Sequence, residues 1–200
     1  MGGEGKAMRN TKCYVHIEDS VMPQLITTAW EAYHDHPGRR RRKQTEGLGV
    51  ETFGLLWGHA IDRKEGQPRK VMVTMATVET LALRSHEWVK PNHRSLNDKI
   101  RFMKIYWPNI ELVGTFHSHP YDSPEEARYH AGWTASDGDL EFFEDFHWDY
   151  EYEQPTMAHL IIAMAGPHPT GFRGQGKIAA IACRSIVPKC GSSHMPLSMK

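Results

Sequence analysis

The segment Glu111-Leu-Val-Gly-Thr-Phe-His117-Ser118-His119-Pro120 is an apolar run that ends in two histidines one residue apart. In a β-strand, successive side chains point to opposite faces, so residues i and i+2 share a face. If this segment is a strand, His117 and His119 can direct both imidazoles at one point. Imidazole is the commonest metal ligand in proteins, so the segment predicts a strand that carries two metal ligands.

A hydroxyl and a carboxylate follow in Ser136-Asp-Gly-Asp139. Serine followed three residues later by an acid is typical of a helix N-cap, and apolar residues then recur at helical spacing. Asp139 can supply a third ligand, and two histidines with one carboxylate leave the fourth zinc position open for water, as in catalytic sites. Thr134-x-x-Asp137 offers the same two groups, so Asp137 stays an alternative ligand.

An acid precedes another apolar run, Val50-Glu51-Thr-Phe-Gly-Leu-Leu-Trp-Gly58, which predicts a buried strand. Taken alone, Glu51 is best interpreted as a strand-edge residue that faces solvent, because burying an unpaired carboxylate is costly. Beside a two-histidine metal site the interpretation changes, since a metal-bound water gives a buried carboxylate a function.

Histidine is abundant, with 13 residues in the chain, and about one His-x-His is expected by chance at this composition. A second one, His34-Asp35-His36, lies where a predicted helix runs into Pro37-Gly38, and we interpret it as a solvated turn. A strand-end histidine can also simply hydrogen-bond to a loop. The strand, the His-x-His-Pro and the Ser-x-x-Asp together are therefore more specific than any one of them.

The set of Glu-x-x-Gly-Leu-Leu-x-Gly, His-Ser-His-Pro and Ser-x-x-Asp resembles the JAMM (MPN-plus, JAB-domain) metalloproteases, and the resemblance covers most of the chain. It implies one catalytic Zn²⁺ bound by His117, His119 and Asp139. It further implies that Glu51 is the general base and that Ser136 hydrogen-bonds the developing oxyanion. Each of these roles is an expectation from the resemblance.

The resemblance also implies a function, the hydrolysis of isopeptide or peptide bonds by a zinc metalloprotease. The expected partners are ubiquitin or a ubiquitin-like protein and its conjugates, from which the modifier is removed. Two alternatives stay open: a processing peptidase that trims the C-terminus of a carrier or modifier, and a binding scaffold that uses the fold without turnover. A homodimer or a required partner subunit is open as well.

The spacing departs from the family pattern, because 16 residues, Pro120–Ala135, separate the second histidine from Ser136. At the family's usual spacing stand Ala127 and His130, which cannot play the roles of hydroxyl and carboxylate. Ser123-Pro-Glu-Glu126 predicts a short helix that ends before Gly132. This insertion either covers the site or grips the modifier, or it is a passive surface excursion.

The remaining segments alternate without a regular βαβ pattern. We therefore predict an α+β fold, a single JAMM/MPN-like domain over residues 12–188 with tails 1–11 and 189–200, in which a curved, mostly antiparallel sheet is flanked by helices in α/β/α layers. Strands are expected at Cys13–Ile17, Val50–Gly58, Val71–Val78, Met157–Met164 and Lys177–Val187, and helices after Asp19 or Ser20, from Ser95 to Trp107 and after Asp139.

Composition limits the function classes. With 200 residues and 40% hydrophobic content the chain can bury one core, and 24 cationic against 24 acidic residues give no net charge, so nucleic acid and anionic membranes are not expected partners. Three widely spaced cysteines without a Cys-x-x-Cys pair favour a reducing compartment, and no apolar stretch reaches membrane-spanning length. We therefore expect a cytoplasmic protein.

Two other charged segments have competing interpretations. Glu141–Gln154 combines acids with aromatic residues and is interpreted as a half-buried helix with a solvated acidic face, or else as a surface that docks an arginine-bearing tail. Arg39–Lys43 is a basic run that is interpreted as solvated. The sequence His86-Glu-Trp-Val-Lys90 begins like a zincin helix, but it has lysine at the position of the second ligand.

Overall fold

The structure is a computed structural model that describes residues 13–34, 49–61, 69–149, 157–165 and 177–186. The predicted tails and the basic run Arg39–Lys43 lie outside the described residues. In chain order the elements are β1 (Cys13–Ile17), α1 (Val21–His34), β2 (Phe53–Ile61), β3 (Arg69–Val78), β4 (Leu83–Arg84), β5 (Val89–Lys90), α2 (His93–Tyr106), β6 (Glu111–Tyr121), α3 (Pro124–Tyr129), α4 (Asp137–Asp149), β7 (Met157–Ala165) and β8 (Lys177–Ile186).

Six strands form one sheet in the order β1-β3-β2-β6-β7-β8. The β3–β2, β2–β6 and β7–β8 pairs are antiparallel, whereas β1–β3 and β6–β7 are parallel. The mixed α+β class is thus confirmed, with antiparallel pairs in the majority. Register shifts at Leu56–Gly58 and at Ala163/Met164 are irregularities of the kind that bend strands.

Helices pack on both faces of this sheet. Alternate residues of β2 point to different hydrophobic clusters, Leu56 to the one that contains α1 and Trp57 to the one that contains residues of α2 and α4. Because neighbouring strand residues face opposite ways, α1 lies on one face and α2 and α4 lie on the other. The layers are therefore helix, sheet and helix, with β6 paired on both sides near the middle of the sheet.

Several predicted boundaries were wrong. Strand β2 runs from Phe53 to Ile61 rather than from Val50 to Gly58. Helix α2 begins at His93 with Asn92 as its N-cap, whose side chain accepts a hydrogen bond from the Ser95 backbone N–H. Ser95, where the helix was predicted to begin, instead donates its hydroxyl to Glu79. Strand β6 continues through Tyr121, so the two histidines lie within the strand rather than at its end.

The short β4–β5 hairpin was not predicted, because two-residue strands are too short to show alternation. A buried carboxylate, Glu79, holds the start of this hairpin against α2. Its acceptor groups are satisfied by Leu81 N, Ser95 Oγ and Lys99 Nζ, at 2.9, 2.9 and 2.8 Å. The hairpin in turn reaches the segment before β2, where the backbone N–H of Glu51 donates to Ser85 O at 2.8 Å.

None of the helices in the described ranges combines the length and apolarity that crossing a membrane requires.

Candidate metal centre

Three potential ligand atoms converge on the face of the sheet that carries α4. His117 Nε2 lies 2.9 Å from His119 Nε2 and 3.1 Å from Asp139 Oδ1, and His119 Nε2 lies 3.5 Å from Asp139 Oδ2. Ligand atoms at about 2.0–2.1 Å from a tetrahedral zinc are about 3.3 Å apart. The spacing of the three donors therefore fits a single metal ion, and the group can bind one.

The strand geometry explains how the two imidazoles meet. In β6, His117 is flanked by Phe53 of β2 and Ile161 of β7, so its position is fixed by pairing on both sides. The ring centroids of His117 and His119 are 4.7 Å apart, as the shared face predicts. His117 is only 3% exposed. Two ligands are thus set by the register of one central strand.

Asp139 enters the group from the first turn of α4. Its carboxylate Oδ2 accepts hydrogen bonds from the backbone N–H and the hydroxyl of Ser136, at 2.7 and 2.8 Å. In return, the backbone N–H of Asp139 donates to Ser136 Oγ at 3.1 Å. The same hydrogen bonds therefore cap α4 and hold the Asp139 carboxylate beside the two histidines. Asp137 is exposed and lies outside the group, so the structure brings in Asp139 of the two candidates.

Ser136 lies at the rim of the site with its hydroxyl directed at Asp139. A hydroxyl has one proton to donate, and here Asp139 receives it. To donate to an oxyanion, the hydroxyl of Ser136 has to turn away from this carboxylate. Its role in oxyanion stabilisation stays a prediction.

Electrostatics differ among the three ligands. Burial lowers the pKa of His117, although its hydrogen bond to Asp139 opposes this. For His119, burial also lowers the pKa, but Asp139, Glu51 and the Gly132 carbonyl together outweigh it and the pKa is raised. Burial alone raises the pKa of Asp139, yet the two imidazoles hold it far below its usual range. Asp139 is therefore anionic at neutral pH, which suits a metal ligand.

A backbone group that the sequence did not reveal completes the surroundings of His119. Its Nδ1 lies 2.8 Å from the carbonyl oxygen of Gly132, in the insertion. A carbonyl oxygen can only accept, so Nδ1 carries a proton, and in its neutral form the ring presents an unprotonated Nε2 to the group. Sequence gives no signal for such a contact, since any residue type supplies a carbonyl.

Glu51 stands just before β2 and is 7% exposed. Burial raises the pKa of its carboxyl to about 8, with His119 opposing the shift and Asp139 adding to it. Among the described residues its carboxyl has no hydrogen-bond partner. The solvent-facing interpretation of Glu51 is therefore wrong, and an acid with no described partner is buried beside the ligand group.

Glu51 and the ligand group line one cavity of about 570 Å³. The β4–β5 hairpin forms another wall with His86–Val89, and it is a bend between short strands rather than a zincin helix. The insertion contributes Tyr121, Glu126 and His130. A buried carboxyl, three metal-competent donors and space for a substrate thus occur together.

The insertion contains the predicted short helix, α3, capped by the Ser123 side chain at Glu126 N. Ala127 is fully buried, and His130 follows the helix and stacks on Tyr121 at 6.3 Å. Neither Ala127 nor His130 belongs to the ligand group. Although the insertion lengthens the segment between them, the fold still places Ser136 and Asp139 beside the two histidines.

The described part of the acidic segment Glu141–Gln154 is a half-buried helix with a solvated acidic face, the simpler of the two interpretations. Phe143 and Phe146 of α4 are buried, whereas Glu141, Glu144 and Asp145 are exposed. The ring of Phe143 stacks on His159 of β7 at 4.0 Å and lies 6.0 Å from His117. The apolar face of α4 thus anchors the helix that carries Asp139. Residues 150–154 lie outside the described ranges.

No family model matches the sequence, and no curated protein matches it. Among solved structures, the solution structure of protein DSY2949 from Desulfitobacterium hafniense is similar, at 18% sequence identity and a TM-score of 0.43. The match covers 86% of this chain and 83% of that one. A likeness at this level carries no argument about family or function.

Two aspartates two residues apart provide a matched test of the ligand set. We expect Asp139→Asn to lose tight binding of one zinc ion, because it removes the anionic donor that faces both imidazoles. Asp137→Asn makes the same change on an exposed carboxylate outside the group and should retain the ion. Zinc content after dialysis, measured by atomic emission together with circular dichroism, gives the result. Equal loss in both variants would contradict the assignment of Asp139.

The raised pKa of Glu51 predicts a pH dependence of stability in the metal-free protein. Between an unfolded-state pKa of 4.5 and a folded-state pKa of about 8, the folded chain keeps a proton that the unfolded chain releases. Stability is thus highest below this window and falls as pH rises through it, by at most about 1.4 kcal/mol per pH unit from this group.

Glu51→Gln should remove that contribution, so its stability relative to wild type should increase from pH 4.5 to pH 8. Urea denaturation of both metal-free proteins across this range measures the difference. Glu87→Gln, on an exposed carboxyl in the same cavity, is the control and should parallel wild type. A constant difference between Glu51→Gln and wild type would show that the carboxyl ionises normally.

Proposed function

We propose that this chain is a zinc metalloprotease of the JAMM type that hydrolyses isopeptide bonds to ubiquitin or a ubiquitin-like modifier. The observation that carries the proposal is the convergence of His117, His119 and Asp139 within a cavity that also contains the buried Glu51. Two histidines and one carboxylate are the donor set of an open, catalytic zinc site. The helix, sheet and helix layers are compatible with the JAMM/MPN domain that the sequence resembles.

In this proposal, His117, His119 and Asp139 hold the zinc ion. When bound, zinc supplies Lewis-acid chemistry, since it polarises a carbonyl and acidifies water. A nearby cation also favours the ionised form of a carboxyl, which offsets the burial that raises the pKa of Glu51. Glu51 would then accept a proton from the attacking water and pass it to the leaving amine.

The chain's other groups would orient the reacting atoms. Ser136 would turn its hydroxyl from Asp139 toward the developing oxyanion, while its backbone N–H continues to hold the carboxylate at 2.7 Å. Burial of His117 and the apolar packing of Phe143 behind it would limit water and keep the ligand rings in place. These contacts would prepare the site before substrate binds.

The leaving group would be the amine of a lysine side chain. Among the described residues, those that line the cavity include Glu51, Glu87 and Glu126 but neither lysine nor arginine. An acidic cavity accommodates an arginine-bearing tail of the substrate, and also the cationic amine that cleavage releases. The same features suit a linear peptide, so a peptidase that trims a carrier or modifier C-terminus is the second candidate.

A matched pair of variants tests the proposed reaction. With Glu51→Gln, we expect cleavage of a ubiquitin-like isopeptide conjugate to fall by at least about 10²–10⁴-fold, because the general base is lost. Zinc content should be unchanged, since Glu51 is outside the donor set. Glu87→Gln, on the β4–β5 side of the same cavity, should retain kcat, with at most a weaker affinity for the substrate. The assay uses zinc-loaded protein with a panel of isopeptide-linked and linear fusions of ubiquitin-like proteins, analysed by gel and mass spectrometry.

Each competing function gives a different result in that panel. Cleavage of the linear fusions alone would favour the trimming peptidase. Stoichiometric zinc without cleavage of any conjugate would favour the non-catalytic scaffold. Normal turnover by Glu51→Gln would exclude Glu51 as the base and contradict the mechanism.

A further inference from the structure

We propose that the insertion Pro120–Ala135 is a positioning element of the metal centre, in which the Gly132 carbonyl fixes the ring of His119 in the tautomer that presents Nε2 as a ligand. The inference rests on the proposed metal site. It assigns a role to the segment that distinguishes this chain from the family spacing. Gly132 acts through His119 and is therefore a positioning residue rather than a catalytic one.

The hydrogen bond between His119 Nδ1 and Gly132 O is the first reason. A neutral imidazole protonated at Nε2 has no lone pair there for a metal, and a free ring exchanges between both tautomers. An acceptor at 2.8 Å from Nδ1 stabilises the form protonated at that atom. Such partners of a metal-binding histidine set ring orientation and raise the basicity of the ligand nitrogen.

The loop that carries this carbonyl is held at several points. Gly132 N donates to Ala127 O at 2.8 Å, and Ala127 is fully buried at the centre of α3. Ala131 adopts a left-handed conformation with φ of 47°, a cost that is kept only when surrounding contacts enforce it. Thr134 caps the turn, with both its N–H and its hydroxyl donating to Ala131 O. The Gly132 carbonyl thus belongs to a fixed turn.

Tyr121 explains why position 132 is glycine. A Cβ atom at position 132 would lie 2.2 Å from the Tyr121 ring, far inside van der Waals contact. Tyr121 is two residues from His119 in β6, and its own carbonyl accepts a hydrogen bond from the Tyr33 hydroxyl at 2.9 Å. The absence of a side chain at Gly132 therefore lets the turn approach the strand closely enough for its carbonyl to reach His119.

Gly132→Ala is the direct test, because the added methyl group should push the turn away from Tyr121 and from His119. We expect zinc affinity, measured by competition with a chromophoric chelator, to fall by about 10–100-fold. In metal-free protein, long-range ¹H–¹⁵N correlation spectra should report His119 protonated at Nδ1 in wild type and mixed tautomers in the variant. Gly138→Ala is the matched control in the same cavity, since a Cβ there would make only an ordinary van der Waals contact, 3.8 Å from Ser136 Oγ.

Rescue separates positioning from general damage. Tyr121→Ala combined with Gly132→Ala removes the ring that the methyl group meets, so affinity and tautomer should return toward those of Tyr121→Ala alone. Tyr121→Phe combined with Gly132→Ala keeps the ring, so zinc affinity should stay as low as in Gly132→Ala alone. If Gly132→Ala does not fold, Ala131→Val perturbs the same turn, because a β-branched residue resists a φ of 47°, while Ala131→Gly accepts it and should behave as wild type.

The outcomes distinguish this inference from the proposed function. Folded Gly132→Ala with wild-type zinc affinity and His119 still protonated at Nδ1 would overturn the positioning role, whatever the protein cleaves. Wild-type protein that binds zinc but cleaves no conjugate would overturn the proposed function, and the Gly132 result would stand. Wild-type protein that binds no zinc would overturn both.

Discussion

The two-residue repeat of strand β6 is the constraint on which the site depends. It places His117 and His119 on one face, with their Nε2 atoms 2.9 Å apart, and pairing with β2 and β7 leaves the strand no freedom to shift. A slip of one residue would turn both imidazoles to the other face of the sheet. Helix α4, the segment before β2 and the insertion place Asp139, Glu51 and the Gly132 carbonyl next to these two histidines.

Burial makes the group chemically unusual. A carboxyl that is 7% exposed, a nearly buried imidazole and an ionised aspartate lie together, and each costs free energy without a partner. The short contacts between Asp139 and the two imidazoles offset part of this cost, whereas Glu51 has no hydrogen-bond partner among the described residues. A divalent cation would compensate the remaining negative charge, in keeping with the proposed metal site.

Much of this arrangement could be predicted from local pattern. Alternation in β6 and the cap formed by Ser136 and Asp139 depend on neighbouring residues, so their geometry follows from sequence spacing. The sequence favoured Asp139 over Asp137, because Leu140 and Phe143 then follow in helical phase, and the structure places Asp139 in the group. The contact of Gly132 with His119 could not be predicted, because it joins a backbone carbonyl to a side chain across a 13-residue separation. The β4–β5 hairpin was missed because its strands are too short to give a period.

The proposed zinc ion is bound by His117, His119 and Asp139 together. Diffraction from crystals of the zinc-loaded protein, collected on both sides of the zinc absorption edge, locates the ion without reference to activity. We expect one anomalous peak at about 2.0–2.2 Å from the two Nε2 atoms and a carboxylate oxygen of Asp139, with a fourth position open to solvent. A peak at other residues, or a fully occupied zinc ion that lacks Asp139 as a ligand, would contradict it.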